Sequence, residues 1–215
     1  SGPVPSLAPP HPVLYVGPMI PYLLQLGPVT IGSYGLMMAI GFLWGWRGAR
    51  RACIRRGWDP EFAYTIIVNA MISGIIGARL FHVIDHWDSF AGDPMRIISA
   101  NSGLTWYGGL ILAILTSWYW SHKKGYSFIA ALDMATPMLA SGYAWGRMGC
   151  FLAGDGCYGV PVEPPWEWIG IAFPNGLVPT TAKVHPTMLY EAAFNFALFA
   201  ILWELDRRKT VPNRW

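Results

Sequence analysis

The sequence predicts an all-α, polytopic integral membrane protein of about five transmembrane helices, with its N-terminus outside and its C-terminus in the cytoplasm. Three observations carry that expectation. The 215 residues are 53% hydrophobic and only 13% charged, where soluble domains carry about 25% charged residues. Twelve tryptophans and 24 glycines accompany the apolar bias, suiting interfacial aromatic belts and close helix packing. The third observation is where the basic residues fall. The net charge of +3 is a topology signal, not a nucleic-acid footprint. A single membrane domain over residues 1–215 follows from the length.

Residues 1–28 are proline-rich and apolar. Their apolar stretch PVLYVGPMIPYLLQL is too short and too broken by proline to span, and residues 1–28 read as an interfacial segment lying on the membrane. They show neither the basic n-region nor the apolar core of a cleavable signal peptide. The first spanning helix is expected over residues 29–46, with Tyr34 near its start and Gly41 and Gly45 on a close-approach face. A basic turn follows with Arg47, Arg50, Arg51, Arg55 and Arg56.

The second helix covers residues 62–84. It has a stripe of Ala70, Gly74 and Ala78, and carries Arg79 and His82 in its last turns. The third, residues 104–120, enters through Tyr107, Gly108 and Gly109. The fourth, residues 128–148, holds Asp133 and Arg147, which lie ~21 Å apart along the axis and cannot pair. Residues 149–185 read as a polar, proline-rich outer-side loop, and the fifth helix covers residues 186–205.

On this map eleven of the fifteen Lys and Arg share one side. Only Arg96 and Lys183 lie opposite, and Arg79 and Arg147 lie within the membrane. The positive-inside rule then fixes the orientation. Tyr34, Arg79, His82, Tyr107, Arg147, His185, Tyr190 and Glu191 all fall near the outer ends of their helices, which predicts a polar cavity opening toward the outer leaflet.

The stretch Gly146 to Gly159, GRMGCFLAGDGCYG, is the centre of this chemistry. An arginine at membrane depth is costly and is usually aimed at a cavity or partner. Arg147 followed by Gly149 suits an anion, because a guanidinium grips phosphate through two hydrogen bonds and glycine admits close approach. The competing explanation is an arginine snorkelling to the interface. Arg79, with His82 and Asp85, is either a second anion contact or an interfacial polar cluster.

Cys150 and Cys157 read as a disulfide or as two inert thiols. A nucleophilic thiolate is disfavoured because neighbouring Asp155 would raise a thiol pKa. No histidine stands at ligand spacing, so the cysteines give no zinc signal, and neither metal nor cofactor is expected. In HPTMLYE, residues 185–191, Glu191 either joins a site or favours the positive end of a helix dipole. Tyr190 either joins the site or belongs to an aromatic belt.

At these residues the chain resembles the prolipoprotein diacylglyceryl transferase family. The likeness rests on GPVTIGSYGLMM, GARLFHVI, YGGL, LDMATP with GRMG, and HPTMLYE, which stand in the family's order across nearly the whole chain. The resemblance implies a bacterial inner-membrane enzyme whose site faces the outer leaflet. Such an enzyme moves diacylglyceryl from phosphatidylglycerol to the thiol of a lipobox cysteine and releases glycerol phosphate.

Carried over by residue, the resemblance makes Arg147 the phosphate holder and Tyr34 an important first-helix tyrosine. Gly146, Gly149, Gly154 and Gly159 become signature glycines, and Asp155 stands near the family's glutamate. Catalytic roles are expected for Arg147, Tyr107 and Tyr34. Arg79, Gly108, Gly109, Gly146, Gly149, Gly154, Asp155, His185, Tyr190 and Glu191 are expected to contact substrate.

The chain departs from the family in three ways. Tyr107 stands where the family has a histidine often considered a base, and a tyrosine with a pKa near ~10 is a poor base at neutral pH. Cys150 replaces an asparagine, and the following segment is one residue longer. The family also continues for two more helices, so the chain reads as a truncated member or a divergent relative.

The expected partners are phosphatidylglycerol or another anionic phospholipid and a preprolipoprotein lipobox segment. If the chain is instead a non-catalytic paralogue that binds lipid or acts as a scaffold, they include other membrane subunits. Nucleic acid is not expected. A small-solute transporter is disfavoured, because the halves show no inverted repeat and the polar groups are not expected at the midplane.

Overall fold

The computed structural model describes residues 19–26, 29–90 and 105–208. Most of residues 1–28, Arg96 and the tail from Lys209 to Trp215 lie outside them. A β-hairpin pairs β1 (Tyr22–Leu26) with β2 (Val29–Gly32). The helices are α1 (Ser33–Arg55), α2 (Glu61–Asp85), the single turn α3 (Trp87–Phe90), α4 (Trp106–Lys123), α5 (Phe128–Ala153) and α6 (Thr187–Arg207). A second hairpin of β3 (Ile171–Phe173) and β4 (Thr180–Val184) precedes α6. The described residues divide into two compact units. One draws on Ser1–Trp44 and Leu139–Glu204, the other on Gly45–Met138 and Leu205–Trp215.

The five expected helices are present, with three corrections. Residues 29–32 are strand, because Val29, Thr30 and Ile31 are β-branched and follow Gly27-Pro28, which favours an extended chain over a helix start. The arginine-rich stretch is helix through Arg55, since arginine is a good helix former and the first strong stop is Gly57. The 149–185 region is not simply loop. It holds the last turn of α5, a 3₁₀ turn at Glu167–Ile169 and the β3–β4 hairpin.

In the second unit α2 and α4 pack antiparallel through their smallest residues. A Cβ built on Gly77 would lie 2.4 Å from the Gly108 carbonyl oxygen, and one on Gly108 only 2.3 Å from that of Gly77. Gly109 meets the Gly74 carbonyl in the same way at 2.9 Å. The backbones therefore approach to a distance no side chain would allow. Polar contacts continue the seam at both ends: the Ser73 and Thr116 hydroxyls are 2.7 Å apart, and the Thr105 amide donates to the Ala78 carbonyl at 3.0 Å.

The ends of α1 and α4 in this unit are built alike. Each closes on a glycine of positive φ, Gly57 at 70° and Gly125 at 76°. The following residue's amide reaches back to the helix, Trp58 to the Cys53 carbonyl and Tyr126 to that of Ser121. The two turns then lock together. Trp58 stacks on Tyr126 with centroids 4.6 Å apart, and the Tyr126 hydroxyl accepts the Asp59 amide at 3.0 Å.

Arg55 and Arg56, expected only as part of an orienting basic turn, form an ion-pair network. Both donate to Asp206 at the end of α6, and Arg56 also donates to Asp133 of α5 at 2.9 Å. The Arg56 and Asp206 side chains are only 9% and 10% exposed, so removing one partner strands charge in a poorly solvated place. Asp206→Ala is expected to cost about 3 kcal/mol, read as a lowered unfolding temperature of the detergent-solubilised protein, with partial recovery in Asp206→Glu.

Large apolar side chains face outward along the helices. Ile72, Ile75, Ile76 and Ile84 on α2, and Phe194 and Ile201 on α6, are all at least half exposed. The helices Glu61–Asp85 and Thr187–Arg207 are long and apolar enough to cross a bilayer. The exposed isoleucines are then the surface that lipid covers.

Candidate functional site

The first unit gathers most of the expected site residues around the end of α5. Arg147 and Tyr143 stand one turn apart on that helix, and Glu191 comes from the first turns of α6. Arg147 Nε donates to a Glu191 carboxylate oxygen at 2.7 Å and to the Tyr143 hydroxyl at 3.1 Å. The Tyr143 hydroxyl donates to the same carboxylate oxygen, and the guanidinium sits over the Tyr143 ring, 5.2 Å from its centroid. The arginine is thus oriented through Nε. The four N–H donors of its two Nη groups are not engaged by Glu191 or Tyr143.

Tyr143 was not among the residues expected from the sequence. Its position four residues before Arg147, on the same helical face, was the available signal. Glu191, for which a helix-dipole role was an open alternative, is the ion-pair partner of Arg147.

Tyr34 lies in the first turn of α1, against α5. A Cβ on Gly149 would come within 3.0 Å of Tyr34 Cδ2 and 3.3 Å of Met37 Cβ, so the glycine lets the two helices close on each other. Gly146 faces Met38 at ordinary contact distance, 3.8 Å. Arg147, Cys150, Asp155 and Cys157 all lie within electrostatic reach of Tyr34.

Gly154, at φ 58°, ends α5 where the hairpin packs closest, since a Cβ there would lie 2.6 Å from Gly176 Cα. The amides of Leu177 and Val178 donate to the Ala153 and Gly154 carbonyls at 2.9 Å, seating the β3–β4 connection on the helix end. Behind it Met19, Cys150, Phe173, Val184 and Met188 form a small core, with Tyr158 stacked on Phe173 at 5.1 Å.

Asp155 accepts the Cys157 amide at 3.2 Å, and Thr187 of α6 donates its hydroxyl to the Cys157 carbonyl at 2.7 Å. Gly159 donates its amide to the His185 carbonyl at 2.9 Å. His185 Nδ1 and the Tyr190 hydroxyl are 3.3 Å apart, so these two residues form a pair of their own.

Cys150 and Cys157 are free thiols, one buried and one exposed. The Cys157 thiol is raised above its ordinary pKa, first by burial and then by its hydrogen bond to Asp155. This agrees with the expectation that the acid opposes a thiolate.

Arg79, Tyr107, Gly108 and Gly109 belong to the second unit. Arg79 places its guanidinium 5.4 Å from the centroid of Phe90. Tyr107 is 68% exposed in the first turn of α4 and meets Trp106 edge to face at 5.3 Å. The missing side chains of Gly108 and Gly109 serve the crossing with α2.

A family model described as prolipoprotein diacylglyceryl transferase matches residues 21–214. The chain belongs to that family. Among curated relatives, the phosphatidylglycerol–prolipoprotein diacylglyceryl transferase of Clostridium tetani is 31% identical over 86% of this chain and 74% of its own length. The protein of the same name from Halalkalibacterium halodurans is 34% identical over 89% of this chain and 68% of its own. That from Nitratidesulfovibrio vulgaris is 30% identical over 88% and 71%. The mostly helical fold with its exposed apolar helix faces is accordingly that of a membrane enzyme family.

Proposed function

We propose that this member of the prolipoprotein diacylglyceryl transferase family transfers diacylglyceryl from phosphatidylglycerol to the thiol of a lipobox cysteine in a preprolipoprotein. The observation that carries the reading is Arg147, fixed through Nε by Glu191 and Tyr143, which leaves its Nη groups unbonded to either. In the reaction the acceptor sulfur forms a bond to the glycerol carbon of the diacylglyceryl group as the bond from that carbon to the phosphate oxygen breaks. Glycerol phosphate leaves, and the thiol proton passes to a base.

Negative charge grows on the departing phosphate. A guanidinium already oriented by Glu191 and Tyr143 stabilises that charge with little rearrangement. Tyr34, packed beside Gly149, orients substrate by hydrogen bonding. Gly146, Gly149 and Gly154 keep the helix end narrow, and Asp155, His185, Tyr190 and Glu191 border the place where headgroup and acceptor meet. In this reading Arg79, Gly108 and Gly109 of the second unit also contact substrate, and Tyr107 serves as an orienting hydroxyl.

The distribution of basic residues supports five spans, an outer N-terminus and a site facing the outer leaflet of the bacterial inner membrane. The α1, α4 and α5 helices, of 23, 18 and 26 residues, are long enough for that topology.

A second reading, a non-catalytic lipid-binding or scaffolding subunit, draws on Tyr107 standing where the family has histidine. Labelled phosphatidylglycerol and a lipobox peptide, incubated with the chain in phospholipid, separate the two. Label appearing on the peptide cysteine supports the transferase. Folded, lipid-binding protein that gives no transfer and co-purifies with membrane subunits supports the scaffold.

A further inference from the structure

The loop after α5 brings three ligand-type side chains together in a way that sequence spacing does not show. Gly154, at φ 58°, stops the helix and Gly156, at φ 89°, turns the chain back, so that Cys157 returns to Cys150 on the last turn of α5. Asp155 lies between them. The two Sγ atoms and a carboxylate oxygen of Asp155 all lie within 4.8 Å of one another.

In a tetrahedral zinc site with metal–sulfur distances of ~2.3 Å and metal–oxygen of ~2.0–2.2 Å, such donors stand roughly 3.5–3.8 Å apart. A contraction of at most about 1 Å therefore completes three corners of a tetrahedron. Histidine at ligand spacing gives no sign of this set, because its third donor is a carboxylate.

The support of the three donors suits a binding site. Cys150 is buried in the small core with Phe173 and Met188. The Asp155 carboxylate is steered by the Cys157 amide, and Cys157 is tethered through its carbonyl to Thr187 of α6. Two soft sulfur donors and one oxygen favour a borderline, thiophilic divalent ion over magnesium or calcium.

We propose that Cys150, Asp155 and Cys157 bind one divalent cation of the zinc class, with a fourth coordination position open to an external donor. Binding displaces the two thiol protons to solvent and involves no change of oxidation state.

The test uses the whole chain in detergent, without a histidine tag and under reductant, titrated with Co²⁺ as a spectroscopic probe and then with Zn²⁺. The expected result is one ion per chain, a sulfur-to-cobalt charge-transfer band with tetrahedral visible bands, and loss of both on adding zinc. Cys157→Ser, at an exposed position, is expected to reduce the charge-transfer intensity by about half, one of two thiolates being lost. Asp155→Asn is expected to weaken binding by at least ~10-fold, a loss that even outer-shell partners of metal ligands produce. Cys53→Ser is expected to leave the spectrum unchanged.

Absence of the band in folded, fully reduced protein overturns the proposal. So does a spectrum unaltered by Cys157→Ser, or a Cys150–Cys157 disulfide that persists under reductant and excludes the ion.

Discussion

Arg147→Lys is expected to lower diacylglyceryl transfer by roughly 10²-fold or more, the usual cost of removing a donor aimed at developing charge. Lysine keeps the positive charge, so the variant isolates what the guanidinium adds. An ammonium is a point charge that cannot present two parallel N–H bonds to one phosphate, and it has no Nε to hold Glu191 and Tyr143 while its outer edge meets the lipid. Arg147→Ala is expected to be at least as damaging. Glu191→Gln and Tyr143→Phe, which loosen the orientation but leave the guanidinium in place, are expected to cost about tenfold each. Transfer at the parental rate in Arg147→Lys, with membrane insertion intact, contradicts the assignment of the phosphate to this residue.

Gly108→Ala is the substitution expected to damage the fold most. Its Cβ would stand 2.3 Å from the Gly77 carbonyl oxygen and 2.4 Å from Phe81 Cβ. One neighbour is backbone and the other the root of a side chain, so neither can swing aside. The two helices must separate, which breaks the Ser73–Thr116 and Thr105–Ala78 contacts with them. A loss of about 3 kcal/mol, or failure to assemble, is expected. Gly142→Ala supplies the contrast: nothing lies within 4 Å of its Cβ position in α5, so alanine there is expected to raise stability by about 0.5–1 kcal/mol. Unfolding temperatures of the two variants in one detergent check both directions. An unchanged melting temperature for Gly108→Ala counts against the close crossing.

The helices were largely legible because their apolar runs are long, and Arg147 because a charge in such a run is conspicuous. What escaped depends on contacts distant in sequence. Gly77, absent from the expected stripe of Ala70, Gly74 and Ala78, belongs to the α2–α4 seam, which only the partner helix decides. Glu191 lies 44 residues from Arg147, so its pairing leaves no local trace, whereas Tyr143 left one at four residues' spacing. The arginines after Trp46 read as a turn because charge usually marks the end of a span. The helix instead continues through Arg55 and closes on Gly57, where the backbone adopts positive φ. Both hairpins sit among prolines and glycines that read as irregular chain, and their pairing is set by the helix ends on which they rest.

The grip of Arg55 and Arg56 on Asp206 also bears on how the protein is made. A ribosome working from the N-terminus delivers these arginines some 150 residues before their shared aspartate. During that interval Arg56 has Asp133 as its earlier partner, 77 residues away. Helix α6 therefore arrives at charges already present and partly engaged, and its final turn closes the network. Emergence of α6, rather than insertion of any earlier helix, is the moment at which Arg55 and Arg56 gain the aspartate they share.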